Sequence, residues 1–528
     1  MGLLVGHYPL ALVVLAMLVV GDWILVCEGQ VFTFNGLEGL LGSVAIAWAL
    51  VRGVFLVRRA DKCEEQPYGL SVTPRAQPGL WERVRQVAEA VGTRPPTELV
   101  LTAEAAAGVR QDRRWGVIPG ERRLYLGVPL LLGLSRDQLD AVLAHELGHY
   151  ANGDVRWAAT VWTTRHRLLR TVLALRERAE PAADEKGARQ SPPGPDHHLA
   201  KLFTVYARFC LRATQSVSRR QEFAADLVAA RVAGRDNAVA ALRRIPVLEA
   251  AHDVYWTDYA LMGSAVGLFP PAGLLHGGFS LFLADGTRAC ELAEAERFPP
   301  PDAASAYDSH PPAADRIAAL EALADDGRRP DAEPLPAAAL LCAPDHLCAE
   351  LEMQSRPGPG AQSRRVAWPD LPKHLRLAEH MRAAQPLRDA LAAGAAPSGA
   401  DPAARAGVEA LLDLVDRGTW FEVAARLPRS DVAARSTGRA SREFARTAFR
   451  HALHHLSLLA LVEAGHLTWE LSWAGPPVRT IAPDGLFGAV ESALNAVVAD
   501  PCDTEPLRTL IAAGPGAEAL HSSRPFAP

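Results

Sequence analysis

Cysteine is scarce in this chain. The 528 residues hold seven, Cys27, Cys63, Cys210, Cys290, Cys342, Cys348 and Cys502, irregularly spaced and with no Cys-x-x-Cys pair. That excludes a disulfide framework and a zinc knuckle, and it fits a reducing compartment. A basic excess is missing too. With 55 Lys and Arg against 60 Asp and Glu, the formal charge is −5, which excludes nucleic acid as a dominant partner. The first nine residues, Met1 to Pro9, contain no Lys or Arg. A secretory signal needs a basic n-region and a small-residue cleavage site; Ala47 instead sits inside a second apolar run.

Two long apolar runs are what the N-terminus does have. Tyr8 to Cys27 is apolar except for Asp22, and twenty helical residues span about 30 Å, the thickness of a bilayer core. Leu40 to Val57 forms a second crossing, with Arg52 near one end where its stem can snorkel toward head groups. Arg58, Arg59 and Lys62 follow it, whereas the loop between the runs carries Glu28 and Glu38 and no positive charge. The positive-inside rule then predicts a multi-pass protein of the cell membrane, with everything after residue 60 in the cytoplasm.

After the anchor (1–60) and a Pro/Gly-rich linker (61–79), apolar residues recur at helical spacing from Leu80 to Val91. Glu98 to Thr102 and Arg123 to Gly127 read as short strands separated by a Gly/Arg-rich turn region. Ser135 with Gln138 three residues on is a capping box that launches a helix through Leu147. Trp157 to Leu175 is helical but broken by Arg165, His166, Arg167 and Arg170; Ala179 to His198 reads as a polar loop, and Leu199 to Val232 as helix. Tyr259 to Ala284 reads either as a membrane-facing re-entrant segment or as a buried helix-turn-helix. This outlines a catalytic domain over 80–335 and a helical C-terminal region over 340–528. In the latter, Leu467 to Trp473 and Val478 to Ile481 suggest a hairpin. His451, His454 and His455 read there as core-edge or surface residues of an amphipathic helix rather than ligands.

The chemistry concentrates in His145-Glu146-Leu147-Gly148-His149, an HExxH on a predicted helix. Residues four apart share a helix face, so both imidazoles can reach one zinc ion, and Glu146 is positioned to act as general base. A third ligand is required. Glu222, in Ser218-Arg219-Arg220-Gln221-Glu222-Phe223-Ala224-Ala225-Asp226, offers a carboxylate from a second helix, and Asp226 one turn later can orient a liganding imidazole. Asp154 is a rival ligand soon after the motif, although the glycine turn and third histidine of that pattern are absent; it also suits the end of the helix. The strand Arg123 to Gly127 is expected to offer an exposed edge to an extended peptide.

At these residues the chain resembles the membrane zinc metallopeptidases that include the bacterial heat-shock protease HtpX and the CAAX prenyl endopeptidases. The resemblance rests on Leu143 to His149 with Asp154, on Arg220 to Asp226, and on Ser309-His310-Pro311-Pro312 followed by Arg316, and it covers about residues 70–325. It implies His145, His149 and Glu222 as zinc ligands, Glu146 as catalytic base, His310 as an oxyanion stabiliser and Arg316 as a brace. The chain departs from the pattern in its arginine-interrupted segment after the HExxH helix, and two anchors cannot enclose a chamber as the prenyl endopeptidases do.

The expected architecture is mainly α with a small β element: two transmembrane helices, a gluzincin-like HExxH domain and a helical C-terminal region. The expected activity is zinc-dependent endopeptidase action, one Zn2+ per chain, on membrane or membrane-associated proteins, in protein quality control. Its partners would be a protein or peptide substrate, the lipid bilayer, and a protein bound by the C-terminal region. The competing reading is a catalytically inactive membrane scaffold of the same fold, against which the intact His145, Glu146, His149 and Glu222 speak.

Overall fold

The protein is described here by a computed structural model, which covers residues 7–29, 69–114, 118–151, 219–298, 311–354, 363–393, 404–428 and 430–512, with isolated residues 33, 40, 43, 44 and 204. It divides into two units: Met1–His252 with Ala289–Arg356, and Asp253–Arg288 with Pro357–Pro528.

The first unit opens with α1 (His7–Cys27), which covers the first apolar run. Met17, Val19, Val20, Trp23, Ile24 and Val26 on it are exposed. The one acid of that run is partnered: Ser43 Oγ lies 2.6 and 2.7 Å from the two carboxylate oxygens of Asp22. Side chains of α1 are described from Ala16 onward, and among the described residues no helix is long and apolar enough to cross a membrane. The second expected crossing, Leu40–Val57, lies outside the described residues apart from Leu40, Ser43 and Val44.

A four-stranded sheet follows, built from β1 (Gly69–Val72), β2 (Glu98–Thr102), β3 (Ala107–Arg114) and β4 (Ile118–Gly127) in the order β1-β2-β4-β3. β2 runs parallel to β4, with Glu98 opposite Arg123; β1 and β3 are antiparallel to their neighbours. Two sequence expectations change here. The stretch 61–79 is not all linker, since it contains β1 and the first two residues of a helix. The strand through Arg123 to Gly127 has no free edge, because β2 and β3 flank it on both sides; among the described residues the outer strands are β1 and β3.

Against this sheet lies α2 (Pro78–Val91), whose Leu80, Trp81, Val84, Val87 and Ala88 recur at helical spacing and are buried. Each leucine or valine among them, fully buried, contributes about 1.5–3 kcal/mol. Gly92, at φ +78°, ends the helix, and the next amide, Thr93, donates to the Ala88 carbonyl. Trp81 Nε1 donates to the Val72 carbonyl at 2.9 Å and fastens α2 to β1.

The predicted capping box starts α3 (Arg136–Gly148): Ser135 Oγ accepts from the Gln138 amide and Gln138 Oε1 from the Ser135 amide. Leu139, Asp140, Ala141, Val142, Leu143, Ala144, His145 and Leu147 are all buried, so α3 is enclosed on most sides. Its buried Asp140 is compensated by Arg83 of α2. Helix α4 (219–233) crosses α3 where Gly148 has no side chain; a Cβ there would stand 3.2 Å from Val228. Helix α5 (Ala313–Glu321) brings Arg316 into the same region.

In the second unit α6 (Leu371–Ala392), α7 (Ala404–Asp416), α8 (Gly438–Glu463), α9 (Leu486–Val497) and α10 (Glu505–Ala512) enclose one apolar core that includes Leu387, Leu411, Phe449, Leu453, Val490 and Leu507. The predicted hairpin forms from β5 (Thr468–Leu471) and β6 (Val478–Ile481), with Gly475 at φ +87° between them. Tyr259 to Ala284 belongs to this unit and contributes buried rings. Tyr255, Tyr259, Phe279 and Phe282 are fully buried; Tyr255, Tyr259 and Phe282 pack with Trp473, Phe279 packs with Tyr255 and Phe282, and Tyr255 also meets Trp368. Gly278 makes room for the Tyr255 hydroxyl and the Trp368 indole. The segment itself runs through a short helix to Ala260, a 3-10 turn at Ser264–Val266, a two-residue strand at Leu268–Phe269 and an α-helix over Leu274–Ala284.

Candidate metal centre

His145 and His149 lie one turn apart at the C-terminal end of α3, their ring centroids 4.9 Å apart and nearly perpendicular. Glu222, on the first turn of α4 and 5% exposed, faces both: its carboxylate oxygens stand 3.5 Å from His145 Nε2 and 3.8 Å from His149 Nε2. One ligand atom from each of the three lies within 4.8 Å of the others. Two imidazoles and a carboxylate converging at this spacing form the donor set that zinc takes when one position is kept for water or substrate.

Behind His145 stands a second layer. Asp226, one turn after Glu222 and 3% exposed, has Oδ1 3.0 Å from His145 Nδ1. An ionised carboxylate only accepts, so Nδ1 carries the proton and Nε2 is turned to the Glu222 side. Arg316 holds Asp226 in place, donating from Nε at 2.8 Å and from Nη2 at 2.6 Å, and its Nη1 stands 3.8 Å from Glu222.

The charges fit a cation at this point. Burial works to lower the pKa of His145, but the Asp226 and Glu222 carboxylates outweigh it and push the value up to about 9. Burial works to raise that of Asp226, and the hydrogen bonds from Arg316 and His145 hold it below the usual carboxylate range instead. The two acids that retain an extra proton on His145 are equally suited to neutralising a divalent ion in its place.

Glu146 is half-buried and close enough to His145 and Arg316 to raise the pKa of both. Asp154 and His310 lie outside the described residues, as do Trp157 to Leu175 and Ala179 to His198. The structure thus brings together His145, Glu146, His149, Glu222, Asp226 and Arg316.

Tyr150 was not singled out from the sequence. Its hydroxyl donates to the Val109 carbonyl of β3 at 2.7 Å, and its ring lies under the Arg122 guanidinium. The Gly127 amide donates to the Ala106 carbonyl. Pairing therefore alternates so that Val109, three residues on, turns its polar groups away from β4 and toward the outer side of β3. Tyr150 so ties the end of the HExxH helix to the outer strand. Its only signal in the sequence is adjacency to His149.

Comparison with known proteins agrees with this geometry. Peptidase family M48 matches residues 114–324. The chain is 30% identical over 188 residues to proteins named Protease HtpX from Yersinia pestis (strain Pestoides F) and Yersinia pseudotuberculosis serotype O:1b (strain IP 31758). In each case the alignment covers 33% of this chain and 60% of the relative's length. The stretch that matches peptidase family M48 contains the two histidines, both acids of α4 and the arginine behind them, and the chain spans about 60% of the length of the Protease HtpX relatives it resembles.

Proposed function

We propose that this chain is a zinc-dependent endopeptidase of the cell membrane that hydrolyses peptide bonds of membrane or membrane-associated proteins, in protein quality control. The observation that carries the reading is the convergence within 4.8 Å of His145 and His149 at the end of α3 with Glu222 of α4, beside Glu146 of α3.

His145, His149 and Glu222 would hold the metal. When bound, Zn2+ would supply Lewis acidity, lowering the pKa of a water and polarising the substrate carbonyl. Glu146 takes a proton from the attacking water and returns it to the leaving amine, so that peptide and water give a carboxylate and an amine. Asp226 and Arg316 fix the orientation and tautomer of His145 throughout. The outer side of β3 beyond Val109, whose carbonyl Tyr150 holds, suits an extended substrate segment that pairs with it as a further strand. His310 as an oxyanion stabiliser and Asp154 as an anchor for the end of the helix rest on the family resemblance. The membrane location rests on the two apolar runs of the sequence and on the basic cluster after them, which orients the peptidase unit and the C-terminal region toward the cytoplasm.

The test is Glu146→Gln in the full chain, with zinc content and cleavage of an unfolded protein substrate measured side by side. The variant should keep its zinc and lose roughly 100-fold or more of its activity. Turnover like that of the wild type would overturn the assignment of the base. A wild type that takes up no zinc under metal-replete conditions would favour the inactive scaffold.

A further inference from the structure

The second unit contains a histidine arrangement that repeats the one in the peptidase centre. On α8, His451 and His455 stand one turn apart with ring centroids 4.8 Å apart and planes at 86°. The corresponding values for His145 and His149 are 4.9 Å and 84°. A third imidazole joins them from α6: His380 Nδ1 lies 2.9 Å from His455 Nδ1, across 75 residues of sequence. Trp469 of β5 packs against the His380 ring at 5.4 Å.

From this juxtaposition we infer a second metal site, His380, His451 and His455, for a divalent transition ion of the kind that prefers imidazole. All-nitrogen donors suit Zn2+, Cu2+ or Ni2+ and not Mg2+ or Ca2+. Two imidazole nitrogens on a tetrahedral zinc at about 2.0–2.1 Å stand roughly 3.3 Å apart, so the His380 and His455 nitrogens need to open by only a few tenths of an ångström. His451 is exposed, and it completes the set by turning its ring inward from the solvent side, which also gives the ion its path of entry. The fourth position is left to water.

The neighbouring His454 is not part of the set. Its Nδ1 stands 3.1 Å from Glu491 of α9, which also pairs with Arg450. Because the ligands come from two helices of one core, the ion would act as a clip between α6 and α8. It has no residue in common with the peptidase centre.

The experiment uses the full chain, stripped with chelator and retitrated with zinc, as wild type and as a His149→Ala, Glu222→Ala double variant that removes the peptidase centre. Two zinc ions per chain are expected in the wild type and one in the double variant, where zinc should also raise the melting temperature. Adding His380→Gln or His451→Ala to the double variant should weaken the remaining site by more than about 100-fold, beyond the loss that removing an outer partner of a ligand brings. His451 is exposed, so its removal leaves the packing intact and decides the matter if His380→Gln alters the circular dichroism. A double variant that takes up no zinc, or whose zinc is indifferent to His451→Ala, overturns the proposal. A wild type with a single zinc that survives the double variant but not His451→Ala would uphold it while removing support from the peptidase reading.

Discussion

Asp226 is the point on which the metal centre turns. It accepts two hydrogen bonds from Arg316 and faces His145 Nδ1, and all three are buried. Asp226→Asn would replace an oxygen that only accepts by an amide able to donate, releasing the tautomer of His145. Zinc affinity should fall about 10- to 100-fold, the usual loss when the partner of a liganding histidine is removed, and competition with a chromophoric chelator would measure it. The same change removes the nearest of the carboxylates around the buried Arg316, so the protein should also lose about 3 kcal/mol of stability in urea. Unchanged zinc affinity would show that His145 is oriented by something else. At this scale the centre was legible in the sequence because an i, i+4 pair and the acids of one helix are local relations. Tyr150 with Val109 and His380 with His455 were not legible, being 41 and 75 residues apart and joined only by the tertiary fold.

Among the elements, β3 shows why some of the fold stayed hidden. Its sequence, AGVRQDRR, has no alternation of apolar and polar residues, and it is a strand because β4 supplies partners for its backbone. By contrast, α2 and α3 carry their own periodicity and caps and were read directly. Tyr150→Phe tests the tether on this outer strand. It should cost about 1 kcal/mol and speed amide hydrogen exchange in β3, while exchange in β2 stays as it is. In the second unit, burial lowers the pKa of His455, as do the charges of His380, His451 and His454, to about 4. The unfolded chain, with its ordinary value of 6.5, then binds more protons than the folded one between these limits. In metal-free protein, the contribution of His455 to stability is complete above about pH 6.5 and is lost as the pH falls toward about 4. Chemical denaturation across that window should show it, and His455→Gln should flatten the dependence; an identical slope in the variant would exclude His455 as its source.

For the whole molecule, the path of the chain matters more than any one contact. Residues 253–288 fall within the stretch matched by peptidase family M48, yet they belong to the unit completed by residues 357–528. The sequence places a boundary near residue 340, where the composition changes, whereas the first unit runs on to Arg356. The reassignment of 253–288 could not follow from sequence, because the rings of Tyr255, Tyr259, Phe279 and Phe282 announce burial without naming the partners that bury them. A chain ending at Arg356 would leave these rings without Trp368 and Trp473. We expect it to be recovered in aggregates or to bind a hydrophobic dye, whereas the full chain does neither; a monodisperse, zinc-loaded truncation would contradict this.

The same thread has a consequence for inheritance. Because the chain leaves the first unit at residue 252, returns at 289 and leaves again at 356, no single stop codon or cut can detach one unit and leave the other whole. A frameshift late in the gene would expose the aromatic rings of a segment encoded well upstream of it. The C-terminal region is therefore not a dispensable appendage that a lineage could shed in one step: losing it would require a second change, within 253–288, to make those rings fit for water.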